Sequence, residues 1–185
     1  KEGQSLIDLG CGAGMDIFIT KMKNPKVGTL YGLDRLDSML EKAKKVRDNK
    51  GFDNIEFIKG ELINIPLLDK SVDRVISNCV INLEPDKQKV YDEIYRILKE
   101  DGMFVISDII LKKELPLEWK NSQQMHCTWV AGALLEEEMV DIIKKAGFNK
   151  FQIINSDVTD EYAEKWGYGK GMKDYIQSGL LIGRK

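Results

Sequence analysis

The sequence lacks any apolar run that approaches the ~20 residues required by a membrane-spanning helix. It also lacks an excess of either charge, since 28 basic and 30 acidic side chains leave a net charge of −2. A balance so close to zero gives no electrostatic reason to expect nucleic acid or an anionic membrane as a partner. We therefore predict no nucleic-acid partner and no membrane partner.

Cysteine and histidine are scarce. Three widely separated cysteines do not make a disulfide framework, and they suit a reducing, cytoplasmic environment. The single histidine, His126, has no second metal-type residue spaced to join it, so no metal site is predicted. No repeat, linker or low-complexity tract divides the chain, which predicts a single domain over residues 1–185. A start at Lys1, without methionine or a visible signal peptide, is compatible with N-terminal truncation.

The most informative stretch is Asp8-Leu9-Gly10-Cys11-Gly12-Ala13-Gly14. It follows the apolar run Ser5–Ile7 and precedes a helical pattern that begins near Met15. A strand, a glycine turn and a helix N-terminus together bring free backbone N–H groups and a positive dipole end to one place. Glycines at alternate positions let a ligand lie on the backbone, because no Cβ intervenes.

The glycine spacing separates two kinds of ligand. A dinucleotide fingerprint has G-x-G-x-x-G, whereas this loop has G-x-G-x-G, with Met15 at the fingerprint's third glycine. Asp8 would repel a pyrophosphate but would suit an ammonium group. The loop therefore predicts a ligand with a carboxylate and an amine, as at the methionine end of S-adenosylmethionine. A structural turn or another nucleotide site is the alternative.

A second strand-like segment, Gly28–Leu33, ends at Asp34, which lies 20 residues after Gly14. A carboxylate there can accept hydrogen bonds from both ribose hydroxyls of a nucleoside, since it has two acceptor oxygens. The simpler alternative is that Asp34 only opens the next turn. Because the glycine loop lies at the right distance, we predict a ribose contact.

Strand and helix patterns alternate along the rest of the chain. Helices are predicted after Asp34, from about Asp86, and over Leu135–Ala146, and strands at Asn54–Ile58, Ser71–Ser77, Met103–Ile110, Phe151–Asn155 and Ser178–Gly183. The first of these helices is expected to have one apolar face, made of Leu36, Met39, Leu40, Ala43 and Val46, and Ser38 and Glu41 have the spacing of a capping box. The second is expected to bury Leu98. This alternation predicts one α/β domain with a doubly wound sheet and a ligand at the carboxyl ends of its strands.

The glycine loop, Asp34 and Gly60-Glu61 are similar to the cofactor-contact regions of class I S-adenosylmethionine-dependent methyltransferases. The resemblance covers nearly the whole chain. It implies a Rossmann-like sheet of seven mostly parallel strands with an antiparallel C-terminal hairpin, S-adenosylmethionine as cofactor and a small-molecule substrate. The implied contacts are Asp8, Gly10, Cys11 and Gly12 at the methionine moiety, Asp34 at the ribose, Glu61 and Leu62 at the adenine, Asn78 beside the methyl group, and Gly14 and Arg35 nearby.

A narrower resemblance rests on Ser77–Leu83, Val130–Leu134 and Ser107–Ile109, which look like the corresponding stretches of arsenite methyltransferases. It implies that Cys79 is catalytic and holds trivalent arsenic beside the methyl group. A thiolate is a soft donor that suits such a centre. The alternative is a cysteine that only packs. No general base is evident, which favours a soft nucleophile over an oxygen or nitrogen nucleophile.

The chain departs from the arsenite pattern just before its Val-Ala-Gly-Ala segment. Arsenite methyltransferases have a second cysteine there, where this chain has Trp129, and Cys127 lies two residues earlier. On a helix, two residues rotate by roughly 200°, so Cys127 would face away from the site, whereas in an irregular loop it could still reach the site. Two alternatives stay open for this reason: another small-molecule acceptor such as a quinone or a thiol, or a non-catalytic protein that binds the cofactor or senses arsenic.

Overall fold

A computed structural model describes residues 2–116, Trp119, 130–165 and 171–185. The strands are β1 (Leu6–Leu9), β2 (Leu30–Asp34), β3 (Ile55–Lys59), β4 (Val72–Asn78), β5 (Leu98–Leu111), β6 (Lys150–Asp157) and β7 (Ile176–Arg184). The longer helices of the described part are α1 (Met15–Lys23), α2 (Asp37–Lys50), α3 (Lys87–Ile97), α4 (Glu136–Lys145) and α5 (Asp160–Lys165). Short 3-10 turns occupy Ile81–Leu83 and Met172–Asp174.

The seven strands form one sheet in the order β3-β2-β1-β4-β5-β7-β6. The first five run parallel, and β7 runs antiparallel to both β5 and β6. The predicted fold, a doubly wound sheet with an antiparallel C-terminal hairpin, is therefore confirmed. Strand order reverses between β1 and β4, and in open α/β sheets a ligand binds in the crevice at such a switch point.

The core surrounds the central strands, which are buried on both faces. Phe104 of β5 makes edge-on contacts with Tyr91 of α3 and with Phe148, at ring-centre distances of 5.9 and 4.8 Å. These three rings are fully buried, and such aromatic pairs contribute about 0.5–1.5 kcal/mol each beyond the burial of their area. These contacts pack α3 and Phe148, which follows the C-terminal turn of α4, against β5. Within the described residues, no helix has the length and apolar character needed to cross a membrane.

Three details of the predicted helices are wrong. Leu36 and Val46 are 50 % and 40 % exposed, because α2 packs against the sheet only through the narrow stripe of Leu40 and Ala43. The helix begins at Asp37 with Leu36 as its N-cap, so the predicted Ser38–Glu41 capping box does not form. Leu98 begins β5, where it pairs with Val72. Leu98 was assigned to the helix because a buried strand residue and a buried helix residue give the same apolar signal in a sequence.

Candidate functional site

The glycine loop joins β1 to α1 through three residues in the left-handed region. Gly10, Gly12 and Gly14 have φ values of 73°, 52° and 83°, a conformation that is costly for a side chain with a Cβ. A Cβ on Gly10 would lie 2.6 Å from a methyl carbon of Val80, whereas a Cβ on Gly12 would meet no atom within 4 Å. Gly10 is thus required by close packing, and Gly12 leaves open space above the loop for a ligand.

Asp34 connects this loop to the end of β2. Its Oδ2 accepts a hydrogen bond from the Gly12 N–H at 2.9 Å, and its Oδ1 accepts one from the Leu36 N–H at 2.9 Å. Each carboxylate oxygen has a further lone pair, which leaves acceptor capacity for a ribose hydroxyl. Asp34 therefore orders the loop in addition to offering the predicted ribose contact.

A cleft of about 160 Å³ opens beside Asp34. Its lining comprises Gly10, Leu33, Asp34, Arg35, Leu36, Gly60, Glu61, Leu62, Val80, Leu83 and Glu84, which include five of the residues predicted to bind the cofactor. The volume is below the ~300–1,000 Å³ of most ligand pockets. The cleft can therefore enclose only part of a nucleoside-sized ligand, while the rest would lie over the open glycine loop.

The other predicted cofactor-binding residues lie outside this cleft. Asp8 lies in β1 between Gly32 and Ile76 of the neighbouring strands and is 3 % exposed. Cys11 is buried, and burial together with the nearby Asp8 carboxyl raises the pKa of its thiol. Asn78 is exposed at the end of β4, and Gly12 and Gly14 belong to the loop itself.

Asp8 has an unusual protonation equilibrium. Burial, and then the charges of Asp16 and Asp34, raise the pKa of its carboxyl to about 8. None of the described residues donates a hydrogen bond to its side chain. A ligand ammonium beside Asp8 would stabilise the carboxylate and lower this pKa again. The open space above Gly12 and this buried acid both fit the amino-acid end of S-adenosylmethionine.

We expect cofactor affinity to rise about tenfold between about pH 5.5 and pH 7. The reason is that Asp8 must lose its proton to pair with the ammonium, while the ligand's own α-amino group stays charged in this window. The free energy of unfolding of the unliganded protein should fall as the pH rises from about 4 to about 8, because the folded state binds the Asp8 proton more tightly. Calorimetry with S-adenosylhomocysteine across this range measures the first effect.

The control for this experiment is Asp8→Asn, which keeps the shape of the side chain and cannot titrate. It should bind the ligand more weakly at pH 7, with an affinity that no longer depends on pH. If the parent shows the same affinity at both pH values, the Asp8 carboxyl does not pair with the ligand.

Cys79 follows β4 directly and is half-buried. Its backbone N–H donates to the Ser107 carbonyl at 2.8 Å, and its φ of 53° lies in the left-handed region. Burial, and then the charge of Asp108, raise the pKa of its thiol to about 11. At neutral pH the free side chain is therefore a thiol, and the predicted thiolate is not the form that this geometry favours.

Sequence reasoning missed a buried polar cluster behind Cys79. Asp108 and Asn82 are each 3 % exposed, and Lys87 is 6 % exposed. Oδ2 of Asp108 accepts a hydrogen bond from the Asn82 N–H at 3.1 Å, and the Lys87 ammonium donates to the Glu84 carbonyl at 3.0 Å. Burial raises the pKa of Asp108 to about 6. The available signal was a lone aspartate at position 108 in an otherwise apolar strand pattern.

The Val130–Leu134 segment lies against the same cluster. A Cβ on Gly132 would fall 1.9 Å from the backbone oxygen of Asn82, so the two backbones are in direct contact. Two of the three stretches that resemble arsenite methyltransferases, Ser77–Leu83 and Val130–Leu134, are thus adjacent in space. His126, Cys127 and Trp129 lie outside the described residues. Among those residues that are described, no group of three or more His, Cys, Asp or Glu side chains is arranged to hold a metal ion.

An open sheet with a switch point after β1, a G-x-G-x-G loop and an acid at the end of β2 define a Rossmann-like nucleoside-binding domain. The family profile described as "Methyltransferase domain" matches residues 1–147. The chain belongs to this methyltransferase domain family. This family membership confirms the predicted methyltransferase domain and supports S-adenosylmethionine as its cofactor.

Two similar proteins of known activity are arsenite methyltransferases. An arsenite methyltransferase of Halobacterium salinarum is 33 % identical over 183 residues, which are 99 % of this chain and 47 % of the relative. The human arsenite methyltransferase is 33 % identical over 162 residues, covering 83 % of this chain and 43 % of the relative. This chain therefore spans less than half the length of both relatives.

Solved structures show the same likeness. The crystal structure of an arsenic (III) S-adenosylmethionine methyltransferase from Chlamydomonas reinhardtii matches with a TM-score of 0.75 at 30 % identity. The match covers 99 % of this chain and 63 % of that one. The YcgJ protein of Bacillus subtilis matches with a TM-score of 0.77 at 18 % identity, which is a likeness of fold alone.

Proposed function

We propose that this domain transfers a methyl group from S-adenosylmethionine to trivalent arsenic held by the sulfur of Cys79. The observation that carries the proposal is the contact between Val80 and Gly10. The methyl carbons of Val80 lie directly over Gly10 of the glycine loop, so the residue before Val80 lies beside the proposed cofactor site. The similarity of Ser77–Leu83 to arsenite methyltransferases supports arsenic as the acceptor.

The capture of arsenic by Cys79 needs neither an oxidant nor a reductant, because no atom changes its oxidation state. The S–H bond of the thiol and one As–OH bond of arsenous acid break, an S–As bond forms, and the proton leaves with the hydroxide as water. The raised thiol pKa does not prevent this exchange, since the proton is lost only as arsenic binds. A soft sulfur donor retains a soft centre better than oxygen does.

The chain's own residues bind and orient the two partners. The glycine loop and Asp8 would hold the amino-acid end of the cofactor, and Asp34 would hold its ribose. When bound, S-adenosylmethionine supplies a methyl group that its sulfonium already makes electrophilic. Trivalent arsenic keeps a lone pair, so the chain need not provide a general base. The apolar side chains of Leu62, Val80 and Leu83 beside the cleft limit the access of water.

Another small-molecule acceptor, such as a quinone or a thiol, is the second candidate. Trp129 stands where arsenite methyltransferases have a cysteine, and burial keeps the Cys79 thiol protonated at neutral pH. A site with these two features should hold arsenic less tightly than a site with two thiolates. The two features leave the cofactor assignment unchanged.

A turnover assay separates these candidates. The purified chain should bind S-adenosylmethionine and S-adenosylhomocysteine, and bind NAD at least about tenfold more weakly, because Met15 stands where a dinucleotide site has its third glycine. With arsenite present, S-adenosylhomocysteine should accumulate over many turnovers, since water can cleave the S–As bond of the methylated, now pentavalent arsenic, release methylarsonic acid and return the Cys79 thiol. Faster turnover with a quinone or a thiol than with arsenite would favour the second candidate. Cofactor binding without turnover on any acceptor would indicate a binding or sensing protein.

A further inference from the structure

Cys79 has a backbone conformation that its own residue type does not favour. A φ of 53° places it in the left-handed region, which non-glycine residues adopt only when their surroundings impose it. The direction of its side chain therefore depends on the contacts that hold the residues on either side. Those contacts are with Ser107 and Asp108, two consecutive residues of β5.

The first contact precedes the turn. The Cys79 N–H donates to the Ser107 carbonyl at 2.8 Å, which continues the pairing of β4 with β5 for one residue beyond Asn78. This hydrogen bond fixes the position of the Cys79 nitrogen. It does not determine where the chain goes next.

The second contact follows the turn, and it involves a side chain. Oδ2 of Asp108 accepts a hydrogen bond from the Asn82 N–H at 3.1 Å. Oδ1 of Asp108 accepts the Ile109 N–H at 2.9 Å, which fixes the carboxylate relative to its own strand. The two oxygens together hold the 3-10 turn that begins directly after Cys79 and Val80.

The surroundings of Asp108 make these bonds difficult to replace. Asp108 and Asn82 are almost completely buried, so solvent cannot take over the hydrogen bonds to the turn. The Asn82 side chain donates to the Ile109 carbonyl at 2.7 Å, and the Asn82 backbone oxygen contacts Gly132. The turn, β5 and the Val130–Leu134 segment thus meet at Asp108 and Asn82.

We propose that Asp108 is a positioning residue that holds the turn after Cys79 and so directs the thiol toward the acceptor. It acts through Cys79 and does not itself contact the reacting atoms. The inference rests on the proposed function: the acceptor is bound in the correct place because the Asp108 carboxylate, on the neighbouring strand, holds the turn by hydrogen bonds. Asp108 is expected to orient the Cys79 thiol in the same way when no arsenic is bound.

The first experiment follows alkylation of Cys79 by iodoacetamide, measured by mass spectrometry on the tryptic peptide 75–87, which contains no other cysteine. Asp108→Ala should react about tenfold faster than the parent, because the released turn exposes the thiol. Asp108→Asn keeps one acceptor oxygen and should react at an intermediate rate. Asp73→Asn is the matched control, since Asp73 also accepts a backbone N–H, from Ser5, but at the opposite end of β4.

The second experiment measures methylation of arsenite by the same variants. Asp108→Ala should raise KM for arsenite about tenfold or more, while the affinity for S-adenosylhomocysteine stays within about twofold of the parent. A thiol that alkylates faster yet captures arsenite less well is the signature of lost positioning. General destabilisation would not produce this combination of effects. Asp73→Asn tests this point: at an equal loss of thermal stability, it should change neither the alkylation rate of Cys79 nor the KM for arsenite.

The outcomes separate this inference from the proposed function. Parent-like alkylation rates in both Asp108 variants would overturn the positioning role, whatever the acceptor. If Asp108→Ala does not fold, the intermediate rate expected of Asp108→Asn decides the question. Failure of the parent to methylate arsenite, combined with the expected alkylation rates, would overturn the arsenic proposal and leave the positioning role supported.

Discussion

Cys79→Ser is expected to lower arsenite binding and arsenite methylation by at least about a hundredfold. Serine has nearly the same shape as cysteine and tolerates the same backbone conformation, but its oxygen is a hard donor that does not retain trivalent arsenic. Titration with arsenite, combined with an assay of methylated arsenic, measures the loss. The affinity for S-adenosylmethionine should stay within about twofold of the parent, since Cys79 does not line the cleft beside Asp34.

Two companion variants make this result specific. Cys127→Ser tests whether another thiol of the chain takes part, and parent-like activity would show that it does not. Trp129→Cys restores the cysteine that arsenite methyltransferases have at this position, and it should tighten arsenite binding because two donors share one ordering cost. Unchanged arsenite affinity in Cys79→Ser would contradict the arsenic proposal and leave only methyl transfer to another acceptor.

Gly10→Ala is expected to lower the free energy of unfolding by about 2–5 kcal/mol and to abolish cofactor binding. The new Cβ would carry the strain of a left-handed φ, on the order of 1–2 kcal/mol. It would also lie within 2.8 Å of three carbon atoms of Val80, an overpacking that typically costs about 1–3 kcal/mol. Denaturant unfolding measures the stability, and calorimetry with S-adenosylhomocysteine measures the binding.

Gly12→Ala is the matched control for this prediction. It carries a similar strain at a φ of 52° but meets no neighbour within 4 Å, so it should lower stability by only about 1–2 kcal/mol while still weakening cofactor binding. Adding Val80→Ala to Gly10→Ala removes the two Cγ atoms but keeps the Cβ of residue 80, so it should recover only part of this loss, about 1 kcal/mol, as a coupling energy. Equal losses of stability in the two glycine variants would show that the contact with Val80 is unimportant.

The sequence was sufficient for the elements whose signals are local. The apolar run before Gly10, the turn chemistry of the loop and the acid at the end of β2 all act over a few residues, so strand, loop and helix follow from pattern alone. The C-terminal hairpin followed from the family resemblance together with two strand patterns. Leu36 and Val46 were misplaced, because apolar periodicity does not show how wide a stripe the sheet covers.

The site beyond the loop was less accessible to sequence reasoning. The dependence of the Cys79 turn on Asp108 joins residues that are 29 positions apart in the chain, and only the pairing of β4 with β5 brings them together. The contact of Val80 with Gly10 depends on another strand pairing, that of β1 with β4. The pKa of Cys79 could not be predicted either, since it depends on burial and on a charge from another strand.

The position of β7 has a consequence for how the domain is assembled. Among the strands that the structure describes, β6 pairs only with β7, although it precedes β7 in the chain. During synthesis, β6 therefore has no partner until Ile176–Arg184 has left the ribosome, while β1 to β5 can already associate. The exposed edge of β5 is closed in the same late step. We expect the cofactor site to form before the sheet is complete, and the nascent chain to be most prone to aggregation through the β5 edge in that interval.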